Sequence, residues 1–117
     1  MTDAPSCIFC RIVAGEVPAE IVVSGEHAIA FADASPQAPV HVLVVPRRHV
    51  ENASVVSDVD GELVADLFVT ARRVAEQLGV AASGYRLVLN VGDDALNSVP
   101  HLHVHVLGGR RLGWPPG

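Results

Sequence analysis

His101-Leu102-His103-Val104-His105-Val106-Leu107 carries three imidazoles at alternate positions, with apolar residues between and after them. Strict alternation reads as a strand with one buried face, because side chains at i, i+2 and i+4 leave a strand on the same side. The spacing therefore predicts a histidine face at 101, 103 and 105, and a core face at Leu102, Val104 and Val106. An ordinary solvent-facing strand would carry Thr, Lys or Glu at these positions. Half of the six histidines in the 117-residue chain lie within these five positions, which marks the strand as a site.

The chain is long enough for one core, and its 50% apolar content argues against disorder away from the ends. The formal net charge is −5 and no basic run occurs, so a general nucleic-acid binder is not expected. Residues 1–6 are polar and lack the apolar segment of a signal peptide. No uncharged apolar stretch approaches the roughly 20 residues of a membrane span. A cytoplasmic protein without a membrane partner is expected. Cys7 and Cys10 are the only cysteines, and in a reducing compartment a Cys-x-x-Cys pair suggests metal or redox chemistry before a structural disulfide.

Working outward from the histidine strand, Pro100 delivers the chain into it and Gly108-Gly109 ends it. Residues 92–99 form a polar loop, and 85–91 read as the strand before that loop. The one long helix runs over 59–78, capped by Ser57 or Asp58 and ended by Gly79. Leu63, Leu67, Ala71, Val74 and Leu78 make its apolar stripe, widened by Val64 and Phe68 so that part of the helix can also meet a second subunit. Residues 40–45 are nearly all apolar, as in a central strand buried on both faces. They are preceded by a proline-bearing loop over 33–39 and followed by Pro46, Arg47, Arg48 and His49. Residues 20–24 and 27–32 read as a hairpin about Gly25-Glu26, and 7–15 as a short helix closed by Gly15. The expected fold is α+β: a mostly antiparallel sheet of about five strands, one long helix and a short N-terminal helix. The whole of 1–117 is expected to be one domain with a tail over 108–117.

Two chemistries suit the histidine face. Imidazole is a good nucleophile near neutral pH, and His103, in the middle, is the most protected of the three. A backbone carbonyl can hold one of its nitrogens as donor while the other presents a lone pair. His101 or His105 can then bind or protonate the transferring group. Strand histidines two apart can alternatively bind zinc. Asn90, Gly92, Asn97 and Ser98 offer amide, hydroxyl and backbone donors beside the imidazoles, as suits a phosphate. Asp33 could accept both hydroxyls of a ribose. Cys7 and Cys10 need two more ligands for a closed tetrahedral zinc site; His49 is one candidate and His101 the nearest second. His27, on the hairpin, reads as a surface residue.

Together these segments resemble the histidine-triad (HIT) family, the similarity covering nearly the whole chain. The triad at 101–107 carries it, with Cys-Ile-Phe-Cys at 7–10, Phe-Ala-Asp-Ala-Ser-Pro-Gln-Ala-Pro at 31–39 and His-Val-Leu-Val-Val-Pro-Arg-Arg-His at 41–49. Leu-Gly-Gly-Arg at 107–110 and Trp-Pro-Pro-Gly at 114–117 are similar to one branch, the histidine-triad nucleotide-binding proteins or purine nucleoside phosphoramidases. The resemblance implies a homodimer whose sheets join into one, and binding of purine nucleoside monophosphates and phosphoramidates. It implies hydrolysis of the P–N bond of adenosine 5′-phosphoramidates through a nucleotidyl-His103 intermediate, releasing AMP. By the same resemblance His105 contacts the phosphate or leaving group, and His41 and His101 complete the polar face that orients His103. Asp33 binds the ribose, Phe9, Ile12, Phe31 and Leu43 form the purine pocket, and Asn90 and Ser98 contact the phosphate and leaving group. Trp114 reaches the neighbouring subunit's site. Family members with these cysteines bind a structural zinc through Cys7, Cys10, His49 and His101, and no organic cofactor is implied. If His101 is a zinc ligand, only its carbonyl remains to orient His103, and the zinc is a brace rather than the catalyst.

Two positions depart from the family pattern. Leu96-Asn97-Ser98 stands where Gly-Gln-Ser or similar is usual, and leucine is not expected to supply glycine's positive φ or close backbone approach. Gly113 replaces a larger polar residue. Three alternatives accompany the phosphoramidase reading: a dinucleoside polyphosphate hydrolase on the same scaffold, a nucleotide-sensing or partner-binding module with little turnover, and a zinc-dependent hydrolase.

Overall fold

The structure is a computed structural model that describes residues 6–117; the polar segment at 1–5 lies outside the described residues. Five antiparallel strands form one sheet in the order β1-β2-β3-β5-β4. They are β1 (Ile21–Ser24), β2 (Ala28–Ala32), β3 (Val40–Pro46), β4 (Tyr85–Val88) and β5 (Val104–Gly108). Two helices flank the sheet, α1 (Ile8–Val13) and α2 (Gly61–Gln77). The α+β reading and the five-strand count match this architecture.

Central β3 pairs with β2 on one side and β5 on the other, and all but its first residue are buried, as its unbroken apolar run requires. On one face Val42, Val44, Leu102, Val104 and Val106 pack against Leu63, Leu67, Ala71 and Val74 of α2. Fully burying such side chains contributes about 1.5–3 kcal/mol each. Leu78, read as part of the stripe, lies beyond the helix and is 39% exposed, and Phe68 is 51% exposed. Gly79 follows with φ +78°, the left-handed conformation that ends helices. A short 3-10 turn over Asp58–Asp60 precedes α2, so the helix begins two residues later than its stripe suggests. Ser57 and Asp60 form a reciprocal capping box around that turn.

On the other face α1 packs Phe9 and Cys10 with Ile29, Phe31, Leu43 and Val45. Cys7 caps this helix, its Sγ accepting the Cys10 amide at 3.4 Å. Cross-strand partners share a face, and Leu43 stands opposite both Phe31 and His105. His105 of β5, and His103 just before it, therefore emerge beneath α1.

The ladder at the histidine segment is shorter than the alternation suggests, because β5 starts at Val104 rather than His101. Upstream of Val104 the hydrogen-bonding groups go elsewhere. Pro46 has no N–H to donate, its carbonyl accepts from His101 Nε2, and the Leu102 amide donates to the Val50 carbonyl. The strand expected over 85–91 likewise ends at Val88, whose partner is His105, one residue inside the start of β5. The alternation of side chains nonetheless persists, since Leu102 lies in the α2-side core while His101 and His103 contact Phe9 of α1.

Candidate active site

Between α1 and the sheet lies a cavity of about 560 Å³, within the range of small-molecule sites. Ile8, Phe9, Ile12, Phe31 and Leu43 form its apolar wall, and Asp33, Ser98, His103 and His105 bring the polar groups. Phe9 is held edge-on to Phe31 at 5.5 Å and to His103 at 5.2 Å between ring centroids. The α1 helix thus builds one side of the cavity and steadies one of its imidazoles.

Hydrogen-bond partners settle the tautomers of three histidines. His103 is buried, and its Nδ1 lies 2.7 Å from the His101 carbonyl oxygen. Only an N–H can approach a carbonyl oxygen this way, so Nδ1 carries the proton and Nε2 keeps the lone pair. In the 33–39 loop the Gln37 amide donates to His41 Nδ1 at 3.0 Å. His41 Nε2 must then hold the proton of the neutral ring. It donates to His105 Nδ1 at 2.9 Å, with Asp33 Oδ2 3.3 Å away. His105 Nδ1 is accordingly an acceptor, which leaves its proton on Nε2. Burial, followed by the nearby His103 and His41, pulls the His105 pKa down to about 4 against the opposing pull of Asp33. The ring is neutral at pH 7. The cavity therefore receives one imidazole lone pair, from His103, and one imidazole N–H, from His105.

His101 points away from the cavity. It is fully buried, and its Nε2–H donates to the Pro46 carbonyl at 2.9 Å. The Nδ1 lone pair faces Cys7 Sγ at 3.3 Å, Cys10 Sγ at 3.4 Å and His49 Nδ1 at 3.2 Å. His49 Nδ1 is in turn 3.3 Å from Cys10 Sγ. All four ligand atoms lie within 4.8 Å of one another. Zinc–sulfur and zinc–nitrogen bonds of about 2.3 and 2.0 Å give a tetrahedron with edges of about 3.3–3.8 Å. The two sulfurs and two nitrogens are thus positioned to bind a metal, and their chemistry is compatible with zinc. Burial, with His49 and His103 adding to it, holds His101 at about 4 despite the Pro46 carbonyl. A neutral ring of this tautomer is the form a ligand requires.

Asp33, His41 and His105 form a second group of ligand-type atoms at similar spacing. The Gln37 amide distinguishes the two groups. By keeping His41 Nδ1 an acceptor it places a proton on Nε2, the atom a metal would need.

Of the residues singled out from the sequence, Phe9, Ile12, Phe31, Leu43, Asp33, Ser98, His103 and His105 line one cavity. His41 stands behind His105, and Cys7, Cys10, His49 and His101 form the separate corner. Asn90 is half-buried just past β4 and is not among the cavity's lining residues. Trp114 is 82% exposed on the tail, with the Arg86 guanidinium 6.0 Å from its ring centroid, and does not line the cavity of its own chain. His27 is half-buried at the hairpin, 3.7 Å from Glu62. The Gln37 amide and the Pro46 carbonyl are the site groups that residue types could not reveal, because main-chain groups leave no signature in a sequence. The one hint is the proline-fixed loop Pro36-Gln37-Ala38-Pro39.

The phosphate-loop expectation needs correction. Leu96 does adopt the left-handed conformation, with φ 60° and ψ 35°. It closes a turn in which Leu96 N–H donates to the Asp93 carbonyl and Asn97 N–H to the Gly92 carbonyl. The side chain is 86% exposed, so the strain of its Cβ stays local.

The HIT domain model matches residues 14–112. A 13.2 kDa HIT-like protein of Azospirillum brasilense is 44% identical over 113 residues, covering 96% of this chain and 93% of the relative. A HIT family hydrolase of Legionella pneumophila superposes with a TM-score of 0.92 at 43% identity, covering 95% of this chain and 99% of that one. A histidine triad protein of Clostridium difficile does so with a TM-score of 0.89 at 35% identity, over 97% of both chains. With five of its six histidines gathered at the two sites under α1, and with these relatives matching along almost its full length, the chain belongs to the HIT family.

Proposed function

We propose that the protein is a nucleotide-binding hydrolase that cleaves the P–N bond of adenosine 5′-phosphoramidates. The tautomer of His103 carries this reading: a buried imidazole with Nδ1–H tied to a carbonyl presents Nε2 as a nucleophile at the wall of a nucleotide-sized cavity. Phe9, Ile12, Phe31 and Leu43 suit a purine, and Asp33 suits ribose hydroxyls.

His103 Nε2 attacks the α-phosphorus and the P–N bond to the amine breaks; the departing nitrogen takes a solvent proton relayed through the Ser98 hydroxyl, while the neutral His105 ring keeps its Nε2–H and hydrogen-bonds it to the phosphate. The ring is now substituted at Nε2 and protonated at Nδ1, hence cationic. The His101 carbonyl stabilises that charge through the same hydrogen bond. Water then attacks phosphorus and releases a proton to solvent by the same path, the bond to His103 Nε2 breaks to restore the neutral ring, and AMP departs. A zinc held by Cys7, Cys10, His49 and His101 would fix the His101 backbone from behind. Trp114 completes the reading only in an assembly, by reaching a second subunit's cavity in a homodimer; Asn90 keeps the phosphate or leaving-group contact that the family resemblance implies.

Steady-state assay on an adenosine phosphoramidate tests this. Wild-type turnover is expected, with a loss of at least about 10³-fold in His103→Ala, as for removal of a nucleophile. Full turnover by His103→Ala, or preference for diadenosine polyphosphate in a side-by-side assay, would contradict it.

A further inference from the structure

We propose that Cys7 and Cys10 form a peroxide-sensitive site whose oxidation to a disulfide expels the metal and disengages the proposed nucleophile. The inference rests on the metal corner and on the hydrolase reading of His103. It adds a modification that neither requires.

A second cavity, of about 300 Å³, opens onto this corner and is lined by Ser6, Cys7, Ile8, Ser98, Val99 and Pro100. Cys7 is otherwise only 2% exposed, so this opening is the route by which a small uncharged oxidant reaches its sulfur. Cys10 lies in the first turn of the helix that Cys7 caps and is 8% exposed. Cys7 is the N-cap of α1 and its Sγ already accepts the Cys10 amide at 3.4 Å, which brings the two side chains to the same end of the helix. Their sulfurs already lie within 4.8 Å of each other.

The chemistry needs a hydroperoxide. The Cys7 thiolate attacks it, an S–O bond forms as the O–O bond breaks, and one hydroxide leaves. The Cys10 thiolate then attacks the sulfenic acid of Cys7, the S–S bond forms, the S–O bond breaks and a second hydroxide leaves. Two thiolates have lost two electrons and the peroxide has gained them. A disulfide keeps neither thiolate charge, so two of the four ligands are lost and the ion departs.

The consequence reaches the cavity by two short paths. His101 Nδ1 loses the partners that hold the ring, and the carbonyl of this same residue fixes His103. Phe9 lies between the two cysteines in sequence and packs against both His101, at 5.8 Å, and His103. Closing the disulfide therefore moves one wall of the cavity together with the support of the nucleophile. Reduction and renewed metal binding reverse both.

The test uses the metal-loaded wild-type protein before and after hydrogen peroxide, and after thiol reductant with added zinc. Chromogenic chelator, peptide mass mapping, the NMR signal of the His103 Nδ1 proton and AMP calorimetry provide the readouts. The expected result is metal release in step with a Cys7–Cys10 disulfide, displacement or loss of the Nδ1 proton signal and AMP affinity weaker by about tenfold or more. All four are expected to recover on reduction. Cys7→Asp, which keeps an anionic ligand without sulfur, should hold its metal through the same exposure; if it takes up none, the wild-type measurement decides. Retention of metal and thiols under peroxide would overturn the proposal, as would disulfide formation with an unchanged His103 signal. Metal release, mass and the Nδ1 signal do not depend on turnover. A reduced, loaded protein that fails to hydrolyse phosphoramidate therefore counts against the hydrolase reading alone.

Discussion

At the scale of single residues, His101 divides its chemistry between side chain and main chain. Its ring faces two sulfurs and His49, while its carbonyl fixes the tautomer of His103 two positions on. His41 plays a comparable part for His105, taking the Gln37 amide on one nitrogen and donating from the other. Both His101 and His105 are pulled to about 4 chiefly by burial, against an ordinary value of about 6.5. Between those values the unfolded chain binds more protons than the folded one, so stability falls with falling pH. Thermal midpoints are expected to be level above about pH 6.5 and to drop as pH falls toward about 4. Differential scanning calorimetry across that range checks this, and a midpoint that rises on acidification would contradict it.

At the scale of elements, the alternation at 101–107 located both faces of the sheet correctly but not the start of β5. Side-chain alternation depends on an extended backbone, whereas a strand also needs ladder partners, and Pro46 and Val50 divert those. The long helix was legible from its stripe because burial against the sheet imposes it. Its preceding 3-10 turn was not, since Ser57 serves a capping box in either arrangement. The groups gathered under α1 were legible as residue types, but their division into a cavity and a metal-ligand corner depends on which way His101 turns. Leu96 shows the opposite failure, a residue whose type argues against its conformation. A left-handed non-glycine residue costs about 1–2 kcal/mol, and glycine returns part of this through its larger unfolded-state entropy. Leu96→Gly should leave denaturant-derived stability within about 1 kcal/mol of wild type. Leu96→Val, branched at Cβ, should lower it by at least about 1 kcal/mol. Equal stabilities for the two variants would show that the turn is not strained.

At the scale of the whole molecule, β1 and β4 are the edges of the sheet, and an open edge is a template for pairing. Exposed apolar residues accompany β4 and α2: Tyr85 at 37%, Leu89 at 38% and Phe68 at 51%. They support the homodimer of the proposed function, with two sheets joined through β4. Light scattering should give a dimer mass for the wild type and a monomer for a Phe68→Glu, Tyr85→Arg double variant; a wild-type monomer would remove Trp114 from the site. No described helix is long and apolar enough to cross a membrane. Fold, cavity and metal corner all converge on one atom, Nε2 of His103. Mass spectrometry of protein quenched during turnover of an adenosine phosphoramidate tests that convergence most directly. An adenylate attached to the peptide bearing His103, and absent from His103→Ala, is the result predicted. Turnover with no adduct at His103, or an adduct on His105 or Ser98, would contradict it.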